Sequence, residues 1–512
     1  MGGFFGVVSR TECVEDIYYG TDYHSHLGTR RGGMAMSCGD GPIRRRIHDI
    51  SNTPFRTKFG AETLALFKGC NCGIGVISDD EDQPLVVTSK FGTFAIITVG
   101  KINNIDEIIR QEIKEGPSHL CEYGSGEPNP TEVAAMLICH GDTLVDGIAH
   151  AQKTIDGSLS LLILHKGAVY AARDRFGRTP VVLGARTDEA GNTVANTVTM
   201  ESSAYPNLDI EVTSELGPGE IRKITADGTE VMKKPGCCKK ICTFFWVYYG
   251  YPSSCYEGVN TELARYRNGA SMADQDEEYK DKIDTICGIP DSGIPHAIGY
   301  SNRFGRPYQR SFVKYTPTWA RSFMPPNQSM REKVAKMKLI PVDSQIAGKK
   351  LLFCDDSIVR GTQLGDTVKR IYEKGAVEVH MRSSCPPLLY GCRFLNFSRS
   401  RNEQELAARK AISELEGTED LTPEILAKYQ VFGSKEYLAM VNVIRKKLNF
   451  TTLKFQQLEK LQEAIGIPKE DLCTYCWNGC DPTVDEKNNR SSRCLYSEGT
   501  SWPRLSSLRI VS

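Results

Sequence analysis

Residues 351 to 362 read Leu351-Leu352-Phe353-Cys354-Asp355-Asp356-Ser357-Ile358-Val359-Arg360-Gly361-Thr362. The pattern predicts an apolar strand that ends in two carboxylates, followed by a short turn with Gly361 and then a helix. The first N–H groups of a helix have no internal partner and carry partial positive charge, so such a turn can bind a phosphate. Asp355 and Asp356 can hold ribose hydroxyls or Mg²⁺, which prefers carboxylate and phosphate oxygens, and Ser357 and Thr362 can add hydrogen bonds. The alternative interpretation is an acidic turn without a ligand.

Strands and helices alternate around this turn. The predicted strands are Ile283–Ile286, Gln309–Lys314, Lys350–Cys354 and Val377–Met381, and the predicted helices are Thr261–Tyr266, His296–Arg303 and Leu364–Lys374. This alternation is typical of an α/β domain with a mostly parallel sheet. The aromatic run Phe244–Tyr249 is predicted as one more strand, and residues 402–465 are predicted as charged helices.

Short apolar runs separated by Gly, Asn and Asp turns dominate residues 1–235. The runs are Phe4–Val8, Leu85–Val87, Phe94–Val99, Leu159–Leu164, Val169–Ala172 and Val181–Leu183. Many short strands with turn signals between them predict a β-rich layered domain. The polar, turn-forming stretch Lys233-Lys234-Pro235-Gly236 predicts a domain boundary.

Length and composition predict a globular protein of about two to four domains, since the chain has 512 residues. It is 40% hydrophobic and 25% charged, which excludes a mostly disordered protein. Lys and Arg together number 63, as do Asp and Glu, so the zero net charge gives no argument for a nucleic acid or an anionic membrane as partner. No stretch approaches the ~20 apolar residues that cross a bilayer, and Met1–Val8 lacks the features of a signal peptide. We therefore expect a cytoplasmic protein that binds neither nucleic acid nor membrane.

The sequence contains 18 cysteines. In a long chain without a signal peptide they are expected to be reduced thiols, some of them metal ligands. The first candidates are Cys237-Cys238, Cys242 and the pair Cys473-x-x-Cys476. By itself that pair is compatible with zinc binding, with redox chemistry or with no role.

The stretch 351–362 resembles the phosphoribosyl pyrophosphate (PRPP) motif of type I phosphoribosyltransferases. Its order Asp-Asp-Ser-Ile-Val-Arg-Gly-Thr is similar to that of the glutamine PRPP amidotransferase family. Residues 242–253, 288–293 and 322–339 resemble the transferase entry segment, the pyrophosphate loop and the flexible loop of that family, and they occur in the same order. The resemblance covers residues 241–400 closely and residues 460–480 again.

The resemblance implies a fold of mixed α/β and α+β class. Residues 1–238 are expected to form a degenerate glutamine amidotransferase domain, an αββα sandwich like that of the N-terminal-nucleophile (Ntn) hydrolases. Residues 239–512 are expected to form a type I phosphoribosyltransferase domain with a parallel sheet and a helical, cysteine-rich C-terminal segment.

Site residues follow from the resemblance by position. The phosphate of PRPP is expected on Ser357, Ile358, Val359, Arg360, Gly361 and Thr362, and its pyrophosphate on Pro290, Asp291, Ser292 and Gly293. Asp355 and Asp356 are expected to act on the ribose side and to hold Mg²⁺ together with Ser292. Lys314 and Arg321 are expected to act from a mobile loop that closes over PRPP and excludes water. Here that loop is one residue longer than the family pattern and contains Pro317 and Trp319.

The resemblance also implies a [4Fe–4S] cluster on Cys242, Cys392, Cys473 and Cys476, because cluster-containing bacterial members have cysteines at the corresponding places. Four thiolates are the usual ligand set for such a cluster. The cluster would be structural and would hold the C-terminal segment against the sheet. Zinc on the same four thiolates is the alternative. Cys480 is a nearby thiol that could replace one of them.

The first half of this family attacks glutamine with an N-terminal cysteine, whose own α-amino group acts as base. The residue at that place is Gly2, which has no side chain, and Cys13 lies too far along the chain to replace it. The Asn-Gly pair that stabilises the oxyanion falls at Val99-Gly100, and the substrate loop falls at Val76–Asp82 without an arginine. An aspartate of the family falls at Pro130. Residues 26–28 and 174–180 still resemble the family's framework, so we expect the fold to be kept and the glutaminase chemistry to be lost.

These observations predict an enzyme of purine biosynthesis that forms 5-phosphoribosylamine from PRPP, with ammonia or an unknown amine as nitrogen donor. The alternative is a PRPP-binding pseudoenzyme that regulates or assembles with an active amidotransferase. Members of the family form dimers and tetramers, so a homo-oligomer is expected by analogy.

Overall fold

The computed structural model describes residues 2–79, 81–115, 123–124, 127–315, 339–396 and 403–481. The strands of its first half are β1 (Gly3–Ser9), β2 (Arg31–Ser37), β3 (Arg44–Asp49), β4 (Cys72–Ser78), β5 (Leu85–Ser89), β6 (Gly92–Ile102), β7 (Tyr123–Gly124), β8 (Glu127–Pro128), β9 (Gly157–His165), β10 (Ala168–Ala172), β11 (Val182–Thr187), β12 (Thr193–Thr199), β13 (Glu211–Glu215), β14 (Ile221–Thr225) and β15 (Gly228–Lys233). The helices of this half are α1 (Val14–Asp22), α2 (Phe55–Lys58), α3 (Ala61–Leu66), α4 (Ile105–Glu115), α5 (Pro130–Cys139) and α6 (Leu144–Thr154). Each apolar run that the sequence predicts as a strand lies in or overlaps one of these strands.

Two antiparallel sheets form the centre of the first half. One sheet has the strand order β13-β11-β12-β1-β4-β2-β3, and the other has the order β15-β14-β10-β9-β6-β5. Their facing side chains share one buried core, to which Phe4 and Ile74 contribute from the first sheet and Ile97 and Leu162 from the second. Helix α1 packs on the outer face of the first sheet, and helices α5 and α6 pack on the outer face of the second. The predicted αββα sandwich is confirmed.

Strand β1 shows why this half has continuous apolar runs. All seven of its residues are buried. Phe4 and Val8 face the core between the sheets, whereas Phe5 and Val7 face the core beneath helix α1. A strand covered on both faces is apolar throughout rather than alternating. The start of the chain is therefore fixed in the interior of the sheet.

The second half alternates strands with helices. Its strands are β16 (Ile241–Cys242), β17 (Cys255–Tyr256), β18 (Val259–Asn260), β19 (Thr285–Gly288), β20 (Phe312–Lys314), β21 (Leu339–Pro341), β22 (Lys350–Asp355), β23 (Glu378–Ser383), β24 (Thr452–Phe455) and β25 (Leu472–Cys473). Its helices are α7 (Thr261–Ala273), α8 (Gly293–Phe304), α9 (Thr362–Glu373), α10 (Ala407–Glu416), α11 (Pro423–Gln430), α12 (Lys435–Lys447), α13 (Leu458–Ile465) and α14 (Tyr475–Asn478). None of the helices in the described ranges is long and apolar enough to cross a membrane.

A parallel sheet with the order β19-β22-β23-β24 lies at the centre of the second half. Leu351 and Phe353 of β22 share a core with helix α9, whereas Leu352 and Cys354 share a core with helix α8 on the opposite face. The pairing of β19 with β22 ends at Gly288 and Cys354, so the carboxyl ends of both strands meet at one edge of the sheet. The predicted parallel α/β sheet is confirmed.

The strand predicted over Phe244–Tyr249 is wrong. Phe245–Tyr249 forms a short π-helix, closed by a hydrogen bond of 2.9 Å from the Gly250 N–H to the Phe245 carbonyl. The Trp246 indole N–H donates to the Val259 carbonyl at 3.1 Å, so its ring is held in the core by a partner outside the segment. Short aromatic runs suit a strand or a buried helical turn equally well, and tertiary contacts decide between the two.

One buried core extends from the first half into the second. Val99 and Val198 of the sandwich belong to the same core as Phe245, Trp246 and Phe394. The two halves therefore share apolar packing in addition to their connecting chain. The predicted boundary between residues 238 and 239 stays a prediction.

Candidate functional site

Two carboxylates lie at the carboxyl end of β22. Asp355 is the last residue of the strand, and Asp356 follows it with only 8% of its surface exposed. The backbone N–H of Asp356 donates to the Asp355 carboxylate at 2.9 Å. The hydroxyls of Ser292 and Ser357 each donate to the Asp356 carboxylate at 2.5 Å. A compact group of oxygen atoms is therefore present where the strand leaves the sheet.

Ser292 belongs to the loop of residues 290–293, which follows β19. Because β19 and β22 are parallel neighbours, this loop and the two aspartates emerge at the same edge of the sheet. Gly293 lies so close to β22 that a Cβ atom there would be 2.4 Å from the Cys354 carbonyl oxygen. The Ile289 N–H donates to that same oxygen at 3.0 Å. The structure thus brings Pro290, Asp291, Ser292 and Gly293 next to the predicted ribose-side acids.

The turn after Asp356 leads directly into helix α9. Gly361 precedes the first helical residue and has a φ of +78°, a left-handed backbone conformation that favours glycine. Ile358 is buried in the core, whereas Val359 and Arg360 are exposed. The Arg360 guanidinium forms an ion pair with Glu405 at 3.0 Å. The turn from Ser357 to Thr362 therefore has the shape that the sequence predicts, a tight loop that presents the start of a helix.

Lys314 is the last residue of β20 and forms an ion pair with Asp291 of the 290–293 loop. The side chains of both residues are more than half exposed, so solvent screens the pair and it contributes little to stability. The ion pair nevertheless places Lys314 beside the predicted pyrophosphate site. Arg321, the other residue predicted on the mobile loop, lies outside the described residues, as does the whole of 316–338.

The two aspartates repel each other in a partly enclosed site. Burial raises the pKa of Asp355 well above its usual value, and the charge of Asp356 raises it further.

Arg265 of helix α7 is a nearby cation that sequence analysis did not single out. It is buried, and it donates to the carbonyls of Trp246 and Gly250 at 3.0 and 2.8 Å. Burial lowers the pKa of Arg265, and Asp356 is the strongest of the charges that oppose this effect.

The chemistry of this oxygen group fits Mg²⁺. Mg²⁺ is bound through one or two carboxylates with substrate phosphates and waters rather than by a complete protein cage. Asp355, Asp356 and Ser292 supply such a partial set, and a divalent cation would relieve the repulsion between the two carboxylates. Within the described ranges, no group of three or more His, Cys, Asp or Glu side chains is arranged to hold a metal ion.

The cysteines Cys242, Cys392, Cys473 and Cys476 converge at a second place. β16 and β25 pair in parallel, so that Cys242 lies beside Cys473. The Cys476 carbonyl accepts hydrogen bonds from the backbone N–H groups of Leu389 and Tyr390 at 3.0 and 3.1 Å, which joins the segment before Cys392 to the C-terminal pair. Burial raises the pKa of Cys242, Cys392 and Cys476, and neighbouring cysteines of this set raise each pKa further.

This donor set fits a [4Fe–4S] cluster by its chemistry. Such a cluster takes one thiolate for each iron, so its four ligands surround a larger group than a single ion. Zinc would instead draw four thiolates around one atom at about 2.3 Å. Four neighbouring thiols, of which Cys242 is buried and the other three are half-buried, are the donor set that both centres need, and the sequence prediction is consistent with this arrangement.

Gly2 lies buried just before β1. A Cβ atom at this residue would be 2.3 Å from the Ile77 carbonyl oxygen of the neighbouring strand β4 and 3.3 Å from the Ser78 Cα atom. A Cβ atom at Gly3 would be 2.5 Å from the His24 ring. A side chain at residue 2 therefore requires the backbone around it to move. This steric conflict is a second reason, besides the lack of a thiol, to expect no nucleophile at this residue.

At the other positions of the predicted amide-hydrolysis site, the residues take part in packing, in a helix cap and in backbone hydrogen bonds. Val99 is buried, and Gly100 has a φ of +153° with room for no Cβ atom, because the Ser158 carbonyl would be 1.8 Å away. Pro130 is the first residue of helix α5, and the side chain of Asn129 caps that helix. In the described part of residues 76–82, the Asp82 carbonyl accepts a hydrogen bond from Asn129 at 3.1 Å.

Cys13 lies at the opposite end of β1 from Gly2. Its N–H donates to the Cys70 carbonyl at 3.0 Å, next to the place where the Ser9 N–H donates to the Asn71 carbonyl. Seven residues of extended strand separate the two ends by about 20 Å. Cys13 therefore does not approach residue 2, where the family resemblance predicts the nucleophile.

Comparison with known proteins gives matches along almost the whole chain. The family profile described as "Glutamine amidotransferase domain" matches residues 72–199. The amidophosphoribosyltransferase of Methanocaldococcus jannaschii is 29% identical over 94% of this chain and 98% of its own length. The structure of glutamine PRPP amidotransferase from Bacillus subtilis complexed with ADP and GMP is 26% identical, with a TM-score of 0.78, and the match covers 94% of this chain and 97% of that one. This chain is similar to amidophosphoribosyltransferases along almost its whole length.

A second solved structure of the family, the allosteric regulatory enzyme of purine biosynthesis, has the same TM-score of 0.78 and covers 94% of this chain. The Bacillus subtilis amidophosphoribosyltransferase sequence is 26% identical over 94% of both chains. The family and the fold class predicted from the sequence are confirmed. The loss of the nucleophile relative to the family stays a prediction.

Sequence analysis missed two buried polar groups that join the halves of this protein. The Glu201 carboxylate is fully buried and accepts hydrogen bonds from the hydroxyls of Tyr256, at 2.6 Å, and Ser254. It also lies 3.2 Å from the His26 ring. The other group is the fully buried guanidinium of Arg178. Residues 26–28 and 174–180 were the available signal, since both resemble the family framework.

Proposed function

We propose that this chain is a transferase that forms 5-phosphoribosylamine from PRPP and free ammonia, and that it does not use glutamine. The observation that carries the proposal is the hydrogen-bonded group Ser292–Asp356–Ser357, which joins the two predicted substrate loops at the ends of adjacent parallel strands. The relatives are amidophosphoribosyltransferases, and their name supports the reaction class. The buried glycine at residue 2 supports the change of nitrogen donor.

In the proposed reaction, ammonia attacks C1 of the ribose while the bond from C1 to the pyrophosphate oxygen breaks. The backbone N–H groups at the start of helix α9 would bind the 5-phosphate, because the first turn of a helix leaves them without internal partners. Residues 290–293 and Lys314 would face the leaving pyrophosphate. Positive charge near that group favours its departure, so catalysis would rest on positioning and charge stabilisation rather than on a covalent intermediate.

Mg²⁺ is proposed on Asp355, Asp356 and Ser292, where it would neutralise charge on the pyrophosphate. The two carboxylates would also hold the ribose hydroxyls in place. The proposed [4Fe–4S] cluster on Cys242, Cys392, Cys473 and Cys476, or zinc as its alternative, would be structural. Assembly as a dimer or tetramer stays a prediction from the resemblance.

The deciding experiment compares nitrogen donors. Purified full-length protein with its metal centre intact is mixed with PRPP and Mg²⁺, and pyrophosphate release is followed with ammonium, with glutamine or with neither. The proposal expects release that depends on ammonium and is unchanged by glutamine. Asp356→Asn is the negative control, and a glutamine-using member of the family is the positive control.

Two outcomes would contradict the proposal. Glutamine-dependent release of both pyrophosphate and glutamate would show that an amide-hydrolysing site exists. Tight PRPP binding in calorimetry without release under any donor condition would favour the regulatory pseudoenzyme. A donor screen with primary amines then separates ammonia from another amine as the acceptor.

A further inference from the structure

Arg178 is a buried charge without a hydrogen-bond acceptor in the part of the chain that the structure describes. Its side chain has no exposed surface, and its Nε, Nη1 and Nη2 atoms have no hydrogen-bond partner among the described residues. Its Cζ atom lies 5.0 Å from the ring centre of Phe176 and 3.3 Å from that of Phe394. The two rings stabilise a cation only through their faces and leave the in-plane N–H groups free to donate. A buried guanidinium of this kind needs an acceptor, and an anion compensates its charge as well.

Other buried arginines in the protein have conventional partners. Arg173 donates to the Gly177 carbonyl at 2.7 Å and forms an ion pair with Glu257 at 2.8 Å. Arg382 forms an ion pair with Asp276. Each of these guanidinium groups donates to several protein acceptors, although the Nη2 atom of Arg382 has none. Arg178 differs from them because none of its three nitrogen atoms has an acceptor among the described residues.

Arg178 lies against the four-cysteine group. Its carbonyl accepts a hydrogen bond from the Cys242 N–H at 3.0 Å. Phe394, which contacts its guanidinium, is two residues beyond Cys392. The unpartnered N–H groups and the cysteines therefore belong to one site.

We propose that Arg178 is the counter-ion and N–H donor of an anionic centre held by Cys242, Cys392, Cys473 and Cys476. The inference rests on the proposed function, because that proposal includes this metal centre. Four thiolates around a [4Fe–4S]²⁺ core or around Zn²⁺ leave a net charge of about −2, which a guanidinium balances in part. Lys101, whose Nζ atom donates to the Cys392 carbonyl at 3.3 Å, adds a second cation to the same site.

Arg178 is thus a positioning residue for the metal centre, supplied by the half of the chain that carries no cysteine ligand. Hydrogen bonds from outer-shell donors orient thiolate ligands and tune the centre. A nearby positive charge also stabilises the reduced, more negative form of an iron–sulfur cluster, so removing that charge lowers the reduction potential. A role limited to packing between Phe176 and Phe394 would have neither effect.

The test uses the full-length protein with Arg178→Met, Arg178→Lys and the control Arg175→Met. Arg175 is on the same loop and 5.2 Å from the ring centre of the same Phe176, but it is exposed. Iron, sulfide and zinc are counted per chain in each variant. Thermal unfolding is measured with the centre intact and after removal by a chelator, together with the rate of that removal. For an iron–sulfur centre, the reduction potential is also titrated.

The effect of Arg178→Met on thermal stability is expected to have opposite signs with and without the metal centre. With the centre intact, Arg178→Met should unfold at a lower temperature than the wild type and should lose metal to the chelator about 10-fold faster. After removal of the centre, Arg178→Met should be at least as stable as the wild type, because an uncompensated buried charge has been replaced by an apolar side chain. Arg178→Lys should restore the potential, and Arg175→Met should match the wild type throughout.

Three results would overturn the inference. The first is an Arg178→Met protein with unchanged potential and unchanged metal release. The second is a loss of stability in Arg178→Met that is equal with and without the centre, or a failure of this variant to fold once the centre is removed. Either result identifies a packing role. The third is a wild-type protein with neither iron–sulfur nor zinc, which would refute the proposed centre as well. The first two results leave the proposed centre standing, so the two failures are distinguishable.

Discussion

Introducing a thiol at residue 2 tests the proposal that the first half does not act on glutamine. In Gly2→Cys, the new Cβ atom would start 2.3 Å from the Ile77 carbonyl oxygen. Carbon and oxygen atoms in contact are normally about 3.3 Å apart, so the overlap is about 1 Å. Overpacking a well-packed interior costs about 1–3 kcal/mol. At about 2–4 °C per kcal/mol for a domain of 150–250 residues, a cost of about 2 kcal/mol lowers the melting temperature by about 4–8 °C.

The same variant should not gain glutaminase activity. Val99 and Gly100 occupy the predicted oxyanion position, and Val99 has no side-chain donor. Loss of a single oxyanion donor reduces turnover about 10²–10³-fold, and the described part of the 76–82 loop provides no arginine to bind the substrate. We expect glutamate release from glutamine to remain at the wild-type background, with or without PRPP.

The assay measures glutamate release and thermal unfolding on protein whose loss of Met1 is verified by intact mass. Gly236→Cys is the matched control, because a Cβ atom there would be no closer than 3.6 Å to another atom, so it adds a thiol without a clash. PRPP-stimulated glutamate release by Gly2→Cys would refute the reasoning about the site. A melting temperature equal to that of the control would refute the steric argument.

Three further variants test the transferase half and its junction with the first half. Ser292→Ala removes the 2.5 Å donor to Asp356 and should weaken PRPP binding in calorimetry about 10-fold, as expected for a hydrogen bond to a charged group. Gly361→Ala places a Cβ atom on a backbone with φ of +78° and should lower the free energy of unfolding by about 1–2 kcal/mol, measured by denaturant titration. Burial alone raises the pKa of Glu201, but the His26 ring and two hydroxyls outweigh it and leave the pKa below its usual value. The stabilising effect of Glu201 is therefore complete above pH ~4.3, the unfolded value, and is lost as pH falls through the lower folded pKa, so the stability gap to Glu201→Gln should close only in acid.

Local sequence predicted most of the secondary structure because the strands are covered on both faces. The run Phe4–Val8 has no polar side chain, the run Phe94–Val99 has only Thr98, and each lies in a strand. The exception is Phe245–Tyr249, whose aromatic composition favours a strand. Its helical turn depends on the Val259 carbonyl, which accepts from the Trp246 indole. No local pattern predicts a partner that lies 13 residues further along the chain.

The candidate site was likewise predictable from the sequence only in part. The turn from Asp355 to Thr362 is contiguous, so the sequence alone predicts its shape and its phosphate chemistry. The loop 290–293 joins it only through the parallel pairing of two strands, and a family resemblance was needed to connect them. The resemblance of residues 174–180 to the family framework pointed to the segment of Arg178 but not to its role, because that role depends on the lack of an acceptor among the described residues. Only a structure shows which buried groups have no partner.

We expect the second half to need the first half in order to fold, whether or not the first half hydrolyses glutamine. Phe245, Trp246 and Phe394 belong to the core that both halves share. Exposing three aromatic side chains of this size costs about 5–8 kcal/mol, a large part of the total stability of a typical domain. A fragment of residues 239–512 is therefore expected to aggregate or to bind hydrophobic dyes without a cooperative melting transition. A soluble, monomeric fragment with a sharp transition would show that the core of the second half is complete without the sandwich.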